Sequence, residues 1–230
     1  METLRKSFLS RGNLTVWILI ALGLIILMQN TLSEEIRVGQ FVPRNVRGVL
    51  QVALTNQIWF TLKLLVFAPI AVFWLLNRRR QVRRALHVSL GLLTFELLTS
   101  VSFLVITLAD DTSRQAVGLI RDTISVALIN ILVFSLWYWV TDAEPLLDLP
   151  RAHQPNEWLF PQYSLAYKKF ETWEPNYFDY LFLAFTTTTA FGPTDTLPLS
   201  RRAKVLMMLQ ALLSLVIIVV LAGRALSILR

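Results

Sequence analysis

Residues 176–204 read NYFDYLFLAFTTTTAFGPTDTLPLSRRAK, an irregular passage set between long apolar runs. Its first part, residues 177–185, is apolar and aromatic but only nine residues long. As helix at about 1.5 Å per residue it covers about half of a hydrocarbon core roughly 30 Å thick, so the length predicts a half-helix and not a span. Four threonines follow, Thr186 to Thr189, then Gly192, Pro193 and Pro198, which interrupt regular helix. Arg201, Arg202 and Lys204 then lead into another long apolar run. Backbone without helical hydrogen bonds cannot face lipid, so the turn must be buried in protein or line water. Spanning helix, re-entrant half-helix, polar turn and spanning helix is the plan of a pore.

Outward from this passage, apolar runs occur at about residues 14–32, 58–76, 86–108, 117–140 and 205–226. The 230 residues are 55% apolar and only 16% charged, and the mean hydropathy is +0.56. A soluble domain of this size needs more polar surface, so these numbers predict an all-α membrane protein. The expected chain has about five transmembrane helices plus one re-entrant pore helix and filter loop. The first run follows Arg5, Lys6 and Arg11 and has no small-residue cleavage pattern after it, which predicts a retained span. Residues 34–57 mix Arg37, Arg44 and Arg47 with apolar side chains around Pro43, as an interfacial helix does. The expected division is a three-helix peripheral domain over 1–116 and a second domain over 117–230. Residues 142–176 carry five prolines with Trp158, Phe160, Tyr163, Tyr167 and Trp173, which predicts an ordered aromatic cap.

Charges within the apolar runs narrow the reading further. Glu96 lies in the third run and the Arg121–Asp122 pair near the start of the fourth. A charge at such depth costs a few kcal/mol, so Glu96 should face protein or water. Lys63 can pair with it or extend to the interface. Arg78, Arg79, Arg80, Arg83 and Arg84 sit together outside an apolar run, which suits a cytoplasmic anchor and not a voltage sensor.

The 186–195 segment TTTTAFGPTD resembles the pore loop of the tetrameric potassium-channel superfamily, whose pattern is TTLTTVGYGD. Without gaps, Thr186, Thr187, Thr189, Gly192 and Asp195 agree, and Asp179, Phe185, Pro198 and the basic residues before the last run extend the likeness. The resemblance covers residues 117–230. It implies an outer helix at 117–140, the cap at 142–176, a pore helix at 177–189, a filter at 189–195 and an inner helix at 203–226. It also implies a homotetramer, because one loop cannot enclose an axial path. The filter residues by this likeness are Thr188, Thr189, Ala190, Phe191, Gly192, Pro193, Thr194 and Asp195.

The departures from the pattern are chemical. In the family, backbone carbonyls replace the hydration shell of potassium and two glycines allow the alternating backbone. Here Pro193 replaces the tyrosine, Thr194 the second glycine and Ala190 the threonine that supplies the innermost hydroxyl. A full carbonyl cage is not expected. Rings of Thr189 hydroxyls and carbonyls and of Gly192 carbonyls remain, with Asp195 either a carboxylate ring at the mouth or a partner for backbone N–H groups or Arg201. In the last run Gln210, Ser214, Ile217, Ile218 and Leu221 form a strip that suits a pore lining, polar near the filter and apolar beyond. The alternative is helix packing with Gln210 hydrogen-bonded to a neighbour.

Other function classes lack their residues. There are no cysteines and two widely separated histidines, His87 and His153, with no HExxH, Ser/His or phosphate-loop pattern, so no metal other than a permeant monovalent or divalent cation, no cofactor and no enzyme activity are expected. An intramembrane enzyme would have only Glu96 and Asp195 as acids. The net charge of +7 clusters between the apolar runs, which indicates topology in the cell membrane as a multi-pass protein and not nucleic-acid binding. A nonconducting sensor or assembly protein with a pore-loop fold is the alternative to a channel. Basic residues flanking the runs favour a cytoplasmic pore loop, as in glutamate-receptor-type pores, whereas the potassium-channel resemblance implies the reverse.

Overall fold

The computed structural model describes residues 20–30, 32, 61, 63, 67–70, 72–73, 76, 79–108, 116–143, 157–165, 173–192 and 195–228. The structure is mainly helical, and three of its helices are long and apolar enough to cross a membrane, as an all-α membrane protein requires. In chain order the elements are α1 (Ile20–Asn30), α2 (Arg79–Leu108), α3 (Ala116–Ala143), β1 (Trp158–Leu159), a 3₁₀ turn (Pro161–Tyr163), α4 (Tyr177–Ala190), β2 (Leu197–Pro198) and α5 (Arg201–Ile228). Residues 61, 63, 67–70 and 72–73 are also helical. The interfacial segment expected over 34–57 lies outside the described residues, as do Arg78, Tyr167, Pro193 and Thr194.

Packing divides the described residues into two compact units, one within 1–28 and 128–215 and the other within 29–127 and 216–230. The division falls inside α3 and α5, so it does not follow the sequence division at 116/117.

The first unit also holds a short ladder. Trp158 pairs with Pro198 and Leu159 with Leu197 in a two-stranded antiparallel ladder. The wholly helical expectation omitted this ladder, because two-residue strands leave no periodic signal. Its neighbourhood is aromatic. The Trp158 ring lies 4.6 Å from that of Tyr138, and Phe160 meets Tyr180 edge-on at 5.4 Å and Trp173 at 5.7 Å. Such tilted contacts suit the ring quadrupoles.

The ends of α4 follow from local chemistry. Asn176 caps its start: Phe178 N–H donates to Asn176 Oδ1 at 2.8 Å, and Asn176 N–H donates to Asp179 Oδ2 at 2.7 Å. This reciprocal box satisfies donors that the first helical turn leaves open. Burial raises the Asp179 carboxyl above its ordinary range, while the Asn176 N–H pulls it back down. At the other end Phe191 takes a left-handed conformation, φ 57° and ψ 25°, and stops the helix. A left-handed residue at this position is a common helix terminator, usually glycine; an aromatic side chain there costs about 1–2 kcal/mol.

In the second unit, Glu96 faces protein as its cost in lipid demands. Its Oε1 lies 2.7 Å from Lys63 Nζ, so the pairing open at the sequence level is formed. Asp122 is buried, while Arg121 is exposed with its guanidinium 3.6 Å from the Asp122 carboxylate.

Candidate functional site

The site is assembled around α4 in the first unit, where α3, the cap and α5 each contribute side chains. Gln210 of α5 is fully buried and uses both ends of its carboxamide. Its Nε2 donates to the Ala184 carbonyl at 2.8 Å and to Thr188 Oγ1 at 2.9 Å. Its Oε1 accepts the hydroxyl of Tyr138 from α3. One turn farther along α5, Ser214 Oγ donates to the Gln210 carbonyl at 2.8 Å and accepts from Asn130 Nδ2 at 3.0 Å. The network is uncharged and mostly saturated; Asn130 Oδ1 is a buried acceptor without a hydrogen-bond partner among the described residues.

This arrangement corrects the pore-lining assignment of Gln210 and Ser214. Both are buried against the chain's own α3 and α4, because a carboxamide in an apolar setting is stabilised by filling all of its hydrogen bonds. Ile217 is buried as well, whereas Ile218 is exposed and Leu221 partly so. Beyond the basic first turn, the first unit's part of α5 exposes the apolar residues Val205, Met208, Leu212 and Leu215, spaced at helical intervals.

The threonines also differ from expectation. Thr186, Thr187 and Thr189 turn their hydroxyls back onto carbonyls of their own helix, at 2.8 to 3.3 Å. That back-bonding satisfies the hydroxyls within their own helix, and α4 continues to Ala190. Thr188 and Thr189, named as filter residues, are helical as the expected pore helix over 177–189 has them, and the helix runs one residue further to Ala190. Phe191 and Gly192 form the turn beyond them, and Asp195 is exposed. Pro193 and Thr194 are not among the described residues, so the filter assignment at those positions is left as read from the sequence.

The start of α4 and the start of α5 are both tied to residues around the cap. Asp142, buried at the end of α3, accepts the Tyr180 hydroxyl at 2.5 Å and the Glu157 N–H at 2.8 Å. The Glu157 carbonyl accepts the Leu199 N–H at 2.9 Å, and its carboxylate accepts the Ser200 hydroxyl. Ser200 caps α5 in turn, its Oγ accepting the Ala203 N–H at 3.1 Å. Trp158 Nε1 donates to the Tyr138 carbonyl at 3.2 Å, and Ser135 shares a 2.8 Å hydrogen bond with Tyr177. Sequence reasoning missed Tyr138, Asp142, Glu157 and Tyr180. The available signal was an acid directly after the aromatic belt of α3, where lipid-facing residues would be neutral.

An apolar groove lies beside α4, lined by Met28, Leu128, Ile131, Leu132, Phe178 and Phe182 among others. Phe178, Phe182 and Phe185 are about half exposed along one stripe of α4. Among the described residues no group of three or more acids, histidines or cysteines could hold a metal ion. No family model, no curated protein and no solved structure matches the chain.

Proposed function

We propose that the chain is a subunit of a homotetrameric cation-conducting pore with a non-standard filter. The observation that supports this reading most is α4 itself: a 14-residue helix, too short to span, set between α3 and α5 and ending in a left-handed turn at Phe191. In a membrane such a turn needs protein or water around it, and four copies about an axis would supply both. The Asp142–Tyr180 contact would fix the start of α4 and Gln210 its last turns, leaving the turn beyond Ala190 as the ion path. Permeant cations, monovalent or divalent, would meet the Gly192 carbonyls and the Asp195 carboxylates, and no cofactor is required. The chain would lie in the cell membrane as a multi-pass protein of about five spans, with α4 as its pore helix.

A second reading, a nonconducting sensor or assembly protein of the same fold, is favoured by one observation. The Thr189 hydroxyl is spent on the Phe185 and Thr186 carbonyls of its own helix, so it does not present the expected oxygen ring.

Flux measurements on purified, reconstituted protein separate the two. Conduction predicts cation uptake that Asp195→Asn lowers more at low than at high ionic strength, because salt screens an exposed charge over about 10 Å at 0.1 M. Absence of uptake for every monovalent and divalent cation tried, from vesicles holding intact tetramers, would select the nonconducting reading.

A further inference from the structure

The second unit holds an ionic group that the proposed pore does not use. Lys63 Nζ contacts Glu96 Oε1 at 2.7 Å and donates to Gln29 Oε1 at 2.7 Å, while Gln29 Nε2 donates to Glu96 Oε2 at 2.9 Å. Each side chain touches the other two, so the ring closes with its charges balanced. Glu96 stands twelve residues from Arg84 and ten from Ile106, the ends of an apolar span, or about 18 Å and about 15 Å along the helix. The ring therefore lies at the depth of the hydrocarbon.

The composition of the three segments gives the ring its specificity. Glu96 is the sole acid of α2, Lys63 the sole charge of residues 58–76, and Gln29 and the adjacent Asn30 the only side chains of α1 that carry an amide or a charge, of which Gln29 makes the contacts. One turn away from Glu96, α2 offers Leu92, Leu93, Thr99 and Ser100, none of which can balance an ammonium. In lipid, apolar faces do not select a partner, since hydrocarbon tails are as apolar as leucine. A lone charge at this depth is costly, so displacing either helix along the other leaves two charges unmatched.

We propose that Gln29, Lys63 and Glu96 form a registering latch: it selects one packing of otherwise interchangeable apolar helices, and what it requires is balanced charge. Gln29 is the positioning residue, donating to the anion and accepting from the cation, and its carboxamide is fully used only when both are present.

The test is a set of variants of the full chain, read as yield of monodisperse protein and as thermal unfolding midpoint in detergent. Lys63→Met and Glu96→Gln each leave one charge uncompensated and should lower the yield about tenfold or more, as loss of one partner of a buried pair does. The exchange Lys63→Glu with Glu96→Lys should restore yield to within about threefold of the parent, since it restores the balance. Gln29→Leu should lower the midpoint of the parent yet leave that of the neutral pair Lys63→Met with Glu96→Leu unchanged. Single variants as stable as the parent, an exchange no better than either single change, or an equal effect of Gln29→Leu in both backgrounds would each overturn the latch. None of these readouts depends on conduction.

Discussion

Gln210 and Glu96 each place a polar side chain in an apolar helix, and their surroundings differ in kind. Around Gln210 every partner is neutral: a hydroxyl from Tyr138, a hydroxyl from Thr188 and the Ala184 carbonyl. Around Glu96 the partners are a cation and an amide. A neutral network loses hydrogen bonds but no charge balance when one member is removed, and it can be repacked by apolar groups. An ion pair loses its balance, and the surviving charge remains at depth. The first arrangement suits a site that must hold a helix end in place, and the second suits a decision between alternative packings.

The contrast is broken most sharply by truncating the ion pair. Glu96→Ala should cost about 3–5 kcal/mol, because Lys63 is left uncompensated. Chemical unfolding in mixed micelles measures the loss, and a cost below about 1 kcal/mol would remove the distinction between the two regions. Gln210→Leu should cost less, about 1–3 kcal/mol, since it strands the Tyr138 and Thr188 hydroxyls without leaving a charge. Adding Tyr138→Phe to Gln210→Leu should then recover part of that loss, which a double-mutant cycle reads directly. The smallest effect is expected at the start of α4, where Asn176→Ala removes one cap acceptor and should cost about 1 kcal/mol. Its signature is local: faster amide exchange at residues 177–180 with the Gln210 contacts retained.

The helices of this chain were legible because apolar length alone reports them, and α3 and α5 begin and end within a few residues of the runs that predicted them. The start of α4 was legible in the apolar run that opens at Tyr177, although the Asn176–Asp179 cap was not read, and the end expected at 189 falls one residue short of Ala190. Thr188 and Thr189 read as filter residues in the sequence, and only the structure shows the hydroxyls of Thr186, Thr187 and Thr189 bonded back to the helix. Gln210, Ser214 and Ile217 form the same polar-to-apolar strip whether they face water or the hydroxyl-bearing faces of α3 and α4, so periodicity could not separate the two. Tyr138, between two tryptophans at the end of an apolar run, has the composition of an interfacial anchor, yet it is fully buried with its hydroxyl bonded to Gln210. Lys63 and Glu96 were visible as candidate partners by charge. Gln29 was not, since an amide at the end of an apolar run looks like a boundary.

The shares of the spans buried within one chain bear on assembly. Within the Gly118–Asp142 span 72% is buried, against 33% of the Arg201–Gly223 span, so α3 is largely covered by its own chain while most of α5 is left for lipid or other copies. The proposed pore needs the latter. The most direct test of it is the native mass of the detergent-solubilised protein, measured together with disulfide capture of Gly192→Cys in this cysteine-free chain. The account predicts the mass of four chains, with the introduced cysteines linking neighbouring copies near the symmetry axis. A monomer, or an oligomer in which those cysteines never meet, would contradict it.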